Sequence, residues 1–321
     1  MKELKLWQFI ADQLEKKNPV VFMCVLESEG SSPGRQGFKM AVTYTEIYGS
    51  IGGGIMEHKL VELAKEKLKV FPDKALTKKQ IHQKSAPGNQ SGMICSGEQT
   101  IFIYKIQEKD TKHIHSILNT LQQTKNGLLE INSDGICFYE KLIPEQNYRF
   151  EKKSEIIWEY EEKLGYKNFL YIIGGGHCSF ALSEVMSRLD FFIHVIDERK
   201  NLNTMRQNTF ANRLEEVKNF DEMDKLIPSG SMIYLVVMTH GYRTDAAVLR
   251  KLIDKKFCYL GVLGSKSKIK KLQDELLQDG ISSELISQLH APIGLDIKSE
   301  TPEEIAISIA AEIIKIKNAQ R

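Results

Sequence analysis

Asn168-Phe-Leu-Tyr-Ile-Ile-Gly-Gly-Gly-His-Cys-Ser179 decides the fold of the C-terminal half. An apolar run stops at Gly174, Gly175 and Gly176 and opens into a helical pattern. A second apolar run, Phe191-Phe-Ile-His-Val-Ile196, ends in Asp197. Strand, glycine turn, helix and acid-ended strand follow the order of the dinucleotide-binding fingerprint. Gly174 lets the chain turn sharply. Gly176 lets backbone approach a pyrophosphate on the helix N-terminus. Asp197 is expected to reach a ribose hydroxyl pair. Ser179, not glycine, holds the third fingerprint position. The opposing reading is a Rossmann fold whose site has decayed.

Outward from this stretch, strands alternate with helices, as in a doubly wound parallel sheet. The spacing predicts strands at 232–238 and 257–262, helices at 245–255 and 266–278, and an irregular patch after Asp197. A final helix opens at Thr301-Pro-Glu-Glu304, with proline and acids in its first turn. Ligands bind at the carboxyl ends of such strands, and four features fall there: Gly174–Ser179, Asp197-Glu-Arg199, Thr239-His-Gly241 and Gly261-Val-Leu-Gly-Ser-Lys266. Arg199 reads as a partner for an extra phosphate or as a solvated charge. His177 reads as a ligand contact, against a surface or capping role, and His240, at a strand end between threonine and glycine, as a site residue, against a packing role. Gly264, Ser265 and Lys266 at a helix start suit an anion, against an exposed helix-entry lysine.

The N-terminal half reads as an α+β domain over residues 1–160, followed by the Rossmann-like domain over 166–321. A helix is expected at 3–17, a buried strand at 20–26, then a polar loop from Glu27 to Gly37. Strands at 39–43, 76–84 and 100–106 and helices at 56–70 and 111–124 follow, with antiparallel sheet from 127 to about 160. Arg35, among small residues, could clamp a phosphate bidentately. Gly52, Gly53 and Gly54 lead into a helix and make a candidate anion nest, against tight packing alone. Cys95 lies in a glycine-flanked loop as a candidate sulfur or metal ligand, against an inert loop cysteine.

The 321 residues are 42% hydrophobic and 27% charged, with a net charge of +2. These values suit a soluble two-domain protein and give no support for a nucleic-acid or membrane partner. No apolar run has the length of a membrane span or a signal segment, so a cytoplasmic protein is expected. Five cysteines, widely spaced and without a Cys-x-x-Cys pair, argue against disulfides or a zinc knuckle. Cys24, Cys137 and Cys258 sit in apolar runs and read as buried small hydrophobes.

Taken together, these motifs resemble the XdhC/CoxI family of xanthine dehydrogenase accessory proteins, over nearly the whole chain. The N-terminal half carries Gly30-Ser-Ser-Pro33, Gly37-Phe-Lys-Met40 and Gly49-Ser-Ile-Gly-Gly-Gly54 followed by Glu57. The C-terminal half carries Gly174-Gly-Gly-His177, Val195-Ile-Asp-Glu-Arg199, Met238-Thr-His-Gly241, Tyr259–Lys266, His290-Ala-Pro-Ile-Gly-Leu-Asp296 and Thr301–Ser308. The resemblance implies a chaperone that binds molybdenum cofactor, as molybdopterin or its dinucleotide form. It would protect that cofactor during sulfuration and hand it to a molybdenum hydroxylase of the xanthine dehydrogenase type. A homodimer and a cysteine desulfurase partner are also implied. Family members often carry cysteine where this chain has Ile55, and Cys-Gly-Gly where it has Cys95-Ser96-Gly97. The resemblance therefore implies a contact through Cys95 alone rather than a two-cysteine relay. No nucleophile–base pair or acid–base dyad is legible. An NAD(P)-dependent oxidoreductase and a nucleotide-sensing scaffold remain the alternatives from the residues themselves.

Overall fold

The computed structural model describes residues 1–68, 74–81, 97–154 and 156–319. The chain divides into two units, Met1–Gly165 and Tyr166–Arg321. The first is α+β and the second a Rossmann domain with a parallel sheet.

In the first unit, α1 (Lys2–Glu15) precedes β1 (Val21–Gly30), β2 (Lys39–Val42), β3 (Ile47–Gly49) and α2 (Gly54–Lys67). Then come β4 (Leu76–Ile81), β5 (Gly97–Lys105), α3 (Thr111–Gln122), β6 (Gly127–Asn132), β7 (Gly135–Tyr139), β8 (Tyr148–Lys152) and β9 (Trp158–Leu164). They form two antiparallel sheets, in orders β3-β2-β1-β5-β4 and β7-β6-β9-β8. The central strand β1 is buried on both faces. Phe22, Cys24 and Leu26 pack with α1, α3 and the second sheet. Val21, Met23 and Val25 pack with α2. That two-sided burial explains the unbroken apolar run from Val20 to Leu26.

Two expectations need correction here. The strand does not stop at Leu26: Glu27 to Gly30 continue pairing with β5 after a register shift between Val25 and Glu27. These polar residues lie past the edge of the core, so backbone pairing persists where the hydrophobic signal ends. Cys137 and Cys258 are half-buried rather than enclosed, whereas Cys24 is fully buried. Burial pushes the Cys24 thiol up to about 12, so it stays protonated and inert. Beside it, Lys39 Nζ lies 2.7 Å from both Glu3 and Glu162 carboxylates, joining α1, β2 and β9 through a buried ion cluster.

The second unit runs β10 (Asn168–Ile173), α4 (His177–Ser187), β11 (Phe191–Asp197), α5 (Asn203–Arg206), β12 (Arg213–Glu216) and α6 (Met223–Leu226). It continues with β13 (Gly230–Val237), α7 (Tyr242–Leu252), β14 (Phe257–Val262), α8 (Lys266–Gln278), α9 (Ser283–Ser287) and α10 (Pro302–Ala319). All strands are parallel, in the order β12-β11-β10-β13-β14. Side-chain alternation builds three layers. Leu170 and Ile172 pack with α4 and α10, while Tyr171 and Ile173 pack with α6, α7 and α8. The short edge strand β12, Arg213-Leu-Glu-Glu216, falls inside the patch expected to be irregular. Charged edge strands carry little hydrophobic signal. Among the described residues, no helix is long and apolar enough to cross a membrane.

Candidate functional site

The strand order reverses direction at β10, whose neighbours are β11 on one side and β13 on the other. In open α/β sheets this switch point is where a crevice forms. Register keeps the strand ends level: Ile173 pairs with both Ile196 and Val237, and Val237 pairs with Val262. Asp197, Gly174, Met238 and Leu263 therefore leave the sheet side by side. The four features expected at the carboxyl end are brought together on this edge.

The three glycines of the β10 turn do different things. Gly174 has φ +112°, and a Cβ there would sit well inside contact distance of the Met238 carbonyl oxygen. Only glycine fits that backbone-on-backbone approach. Gly175 donates its N–H to Asp197 Oδ2 at 2.6 Å, and a Cβ on it would meet the Met205 side chain at 2.6 Å. Gly176 is the N-cap of α4, which no side chain caps, and a Cβ there would meet nothing within 4 Å. Across the switch point Gly241 repeats this arrangement. It is the N-cap of α7, without a side-chain cap, and open in the same sense. The opening N–H groups of both helices lack intrahelical acceptors and carry the positive end of the helix dipole. His177 and His240 stand beside the two caps, exposed.

Asp197 departs from the expected role. It is only 2% exposed. Its Oδ1 accepts from the Arg199 backbone N–H at 2.7 Å and from Nε at 3.0 Å; its Oδ2 accepts from Gly175 N–H and from Arg199 Nη2 at 2.7 Å. Burial pushes this carboxyl up. The Arg199 side chain and the two backbone donors more than offset that and hold it below the usual range. Arg199 is correspondingly an ion-pair partner rather than a free phosphate clamp.

The β14 loop also differs in detail. Ser265 Oγ caps α8 by accepting from Lys268 N–H at 3.3 Å. Gly264 packs against the Lys268 stem, and Lys266 is exposed. The lysine that organises this edge is Lys268, which belongs to none of the motifs singled out from the sequence. Its Nζ lies 2.6 Å from Asp245 Oδ2 and donates to the Leu263 carbonyl at 3.0 Å. Asp245 Oδ1 in turn accepts from Thr239 N–H and Oγ1 at 3.0 and 2.6 Å. An acid in the first turn of α7 and a lysine in the first turn of α8 were the available signal. A second group, in which Glu312 joins two of the quoted motifs, braces the sheet edge. Tyr259 O–H donates to Glu312 Oε2 at 2.5 Å, and Gly294 N–H to the same oxygen at 2.8 Å. The His290 ring stacks on Tyr259 at 4.6 Å.

In the first unit the Arg35 loop and the Gly52 turn lie against each other. A Cβ on Gly52 would come within 2.5 Å of Gly34 N. Arg35 is exposed and donates from Nη1 to the Gly30 carbonyl at 2.9 Å. The triglycine turn does form a nest, with positive φ at Gly52, Gly53 and Gly54. It holds the protein's own carboxylate: Glu57 Oε2 accepts from Ser50 Oγ at 2.7 Å, Ile51 N–H at 2.9 Å and Gly53 N–H at 2.8 Å. The expectation of a nest open to a ligand is corrected on that ground. Cys95 and Ser96 lie outside the described residues.

Residues 170–313 match the family described as XdhC Rossmann domain, and residues 13–70 match the XdhC and CoxI family. The uncharacterized protein YqeB of Escherichia coli (strain K12) is 25% identical over 312 residues, covering 96% of this chain and 46% of that protein. A probable xanthine dehydrogenase subunit of Bacillus subtilis (strain 168) is 37% identical over 82 residues, 26% of this chain and 23% of that one. The chain spans less than half the length of the first of these relatives, and the matched segment about a quarter of the second. A crystal structure of a xanthine dehydrogenase from Bacillus halodurans superposes with a TM-score of 0.74 at 22% identity, covering 100% of this chain and 97% of that one. At that identity the likeness shows the fold.

Proposed function

We propose, because this chain belongs to the XdhC and CoxI family, that it is an accessory protein of a xanthine dehydrogenase-type molybdenum hydroxylase. In this reading it holds molybdenum cofactor as cargo and delivers it after sulfuration. One observation carries the reading. At the switch point, the caps of the helices that follow two neighbouring strands, Gly176 after β10 and Gly241 after β13, are open and have no side-chain partner. Such amides suit a phosphate, and molybdopterin bears one in either of its forms. The nest in the first unit is a poorer cradle, because Glu57 fills it with like charge.

The residues divide the work accordingly. The N–H groups opening α4 and α7 bind the phosphate, and His177 and His240 line its rim. Asp245 and Lys268 fix the loops after β13 and β14 so that these donors stay aimed. Cys95 is the proposed thiol contact, acting alone because Ile55 replaces the second cysteine. The cargo itself supplies the redox-active metal once it sits in the hydroxylase. A homodimer and a cysteine desulfurase partner complete the proposal.

The test is reconstitution. Apo-hydroxylase and sulfurated cofactor are mixed with and without this protein, and turnover is followed. The proposal expects activation to depend on the protein and to fall with Cys95→Ala. Equal activation without the protein refutes the accessory role. Full activation by the alanine variant refutes only the role of Cys95.

A further inference from the structure

The acid at the end of the second strand is the residue through which a Rossmann site reads a ribose diol. A carboxylate offers about four acceptor positions. In Asp197 four donors already use them: Gly175 N–H and Arg199 N–H, Nε and Nη2. The group is also buried, at 2% exposure. A diol arriving here finds no acceptor unless the Arg199 side chain leaves. Two of the four donors belong to that side chain, which is 37% exposed and so has room to be displaced or replaced. The other two are backbone and stay with the turn.

We infer that Arg199 sets the ligand class of this crevice: by filling the acceptor capacity of Asp197 it turns away dinucleotides held through a free ribose diol, and leaves a site that recognises phosphate. The inference rests on the reading that the crevice between α4 and α7 is the ligand site, and it names what that site refuses. It also explains why an apparent dinucleotide fingerprint does not by itself make an NAD-dependent enzyme. The acid is present, but its work is internal: it ties the glycine turn after β10 to the chain leaving β11.

Calorimetric titration of the full chain tests this, with NAD+ and inorganic pyrophosphate as probes and wild type, Arg199→Ala and Arg199→Gln as proteins. Arg199→Gln serves where the alanine variant fails to fold. Freeing two acceptor positions on a carboxylate is expected to strengthen NAD+ binding at least about tenfold over wild type. Pyrophosphate affinity is expected to change less than about threefold, since its donors are the helix amides. Asp197→Asn in the otherwise wild-type chain should lower the melting temperature and leave NAD+ binding as weak as before. Wild-type protein that binds NAD+ as tightly as the Arg199 variants overturns the inference, as does a loss of NAD+ affinity in Asp197→Asn. Pyrophosphate binding without any gain in NAD+ affinity sinks the inference alone. Failure of pyrophosphate to bind any of these proteins sinks the crevice reading together with it.

Discussion

Gly52–Gly54 and Gly174–Gly176 are the same three letters with different fates. Both turns lead into a helix, and both are held by a carboxylate of the chain itself. In the first, Glu57 sits one turn into the following helix and folds back, taking two backbone amides and a serine hydroxyl with one oxygen. The nest is filled. In the second, the carboxylate comes from the neighbouring strand, and Asp197 takes only the Gly175 amide. Gly176 and the helix opening beyond it stay clear. A glycine triplet therefore predicts a cradle for negative charge. Where the nearest acid stands decides whether the cradle is free for a ligand.

The largest effect is expected at Gly174. Gly174→Ala puts a Cβ against the Met238 carbonyl in a backbone region closed to alanine. We expect a loss of about 3 kcal/mol or more in chemical denaturation, enough to unfold the second unit. A near-neutral variant would mean that the turn relaxes freely. Glu57→Ala comes next. Removing an acceptor shared by three donors should cost about 1.5–3 kcal/mol. It should also create pyrophosphate binding in the first unit, readable by titration of a Gly176→Val background. No new binding there would show that the nest closes without its carboxylate.

Asp197→Asn should cost about 1–2 kcal/mol at neutral pH, because the ion pair with Arg199 is lost while the amide keeps part of the bonding. The pH dependence follows from its lowered pKa. The folded value lies below the unfolded one of about 3.9, so the contribution is full above that value and fades as pH falls through the folded one. Melting temperature measured down through pH 4 should drop more steeply for wild type than for the asparagine variant. Parallel curves would remove Asp197 from the account. Gly176→Val has the smallest effect on stability, under about 1 kcal/mol, as a cap residue exchanged in open space.

Much of this was legible in the sequence for a physical reason. The parallel strands are continuous apolar runs because both faces are buried. Helices such as α8 are readable from their spacing, and the start of α10 from its proline and first-turn acids. What escaped was polar pairing beyond the core, as in Glu27–Gly30 and β12, where hydrophobicity carries no signal. At the site, the glycines and Asp197 were correctly placed at the strand ends, yet their roles were not readable. A sequence shows that an acid can accept hydrogen bonds; it does not show that Arg199, two residues on, has already donated them. Asp245 and Lys268 look like ordinary surface charges until the helices that carry them are packed.

Whether the crevice holds the cofactor is read from the pterin content of purified protein, taken as fluorescence after oxidation, for wild type against Gly176→Val. A Cβ at this position meets nothing within 4 Å, so the variant is expected to keep the fold while filling the open position of the β10 turn. Pterin is expected on wild type and reduced at least about tenfold in the folded variant, corresponding to the loss of about 1.4 kcal/mol of binding. Equal pterin in both proteins, or a nicotinamide in place of the pterin, would contradict that expectation.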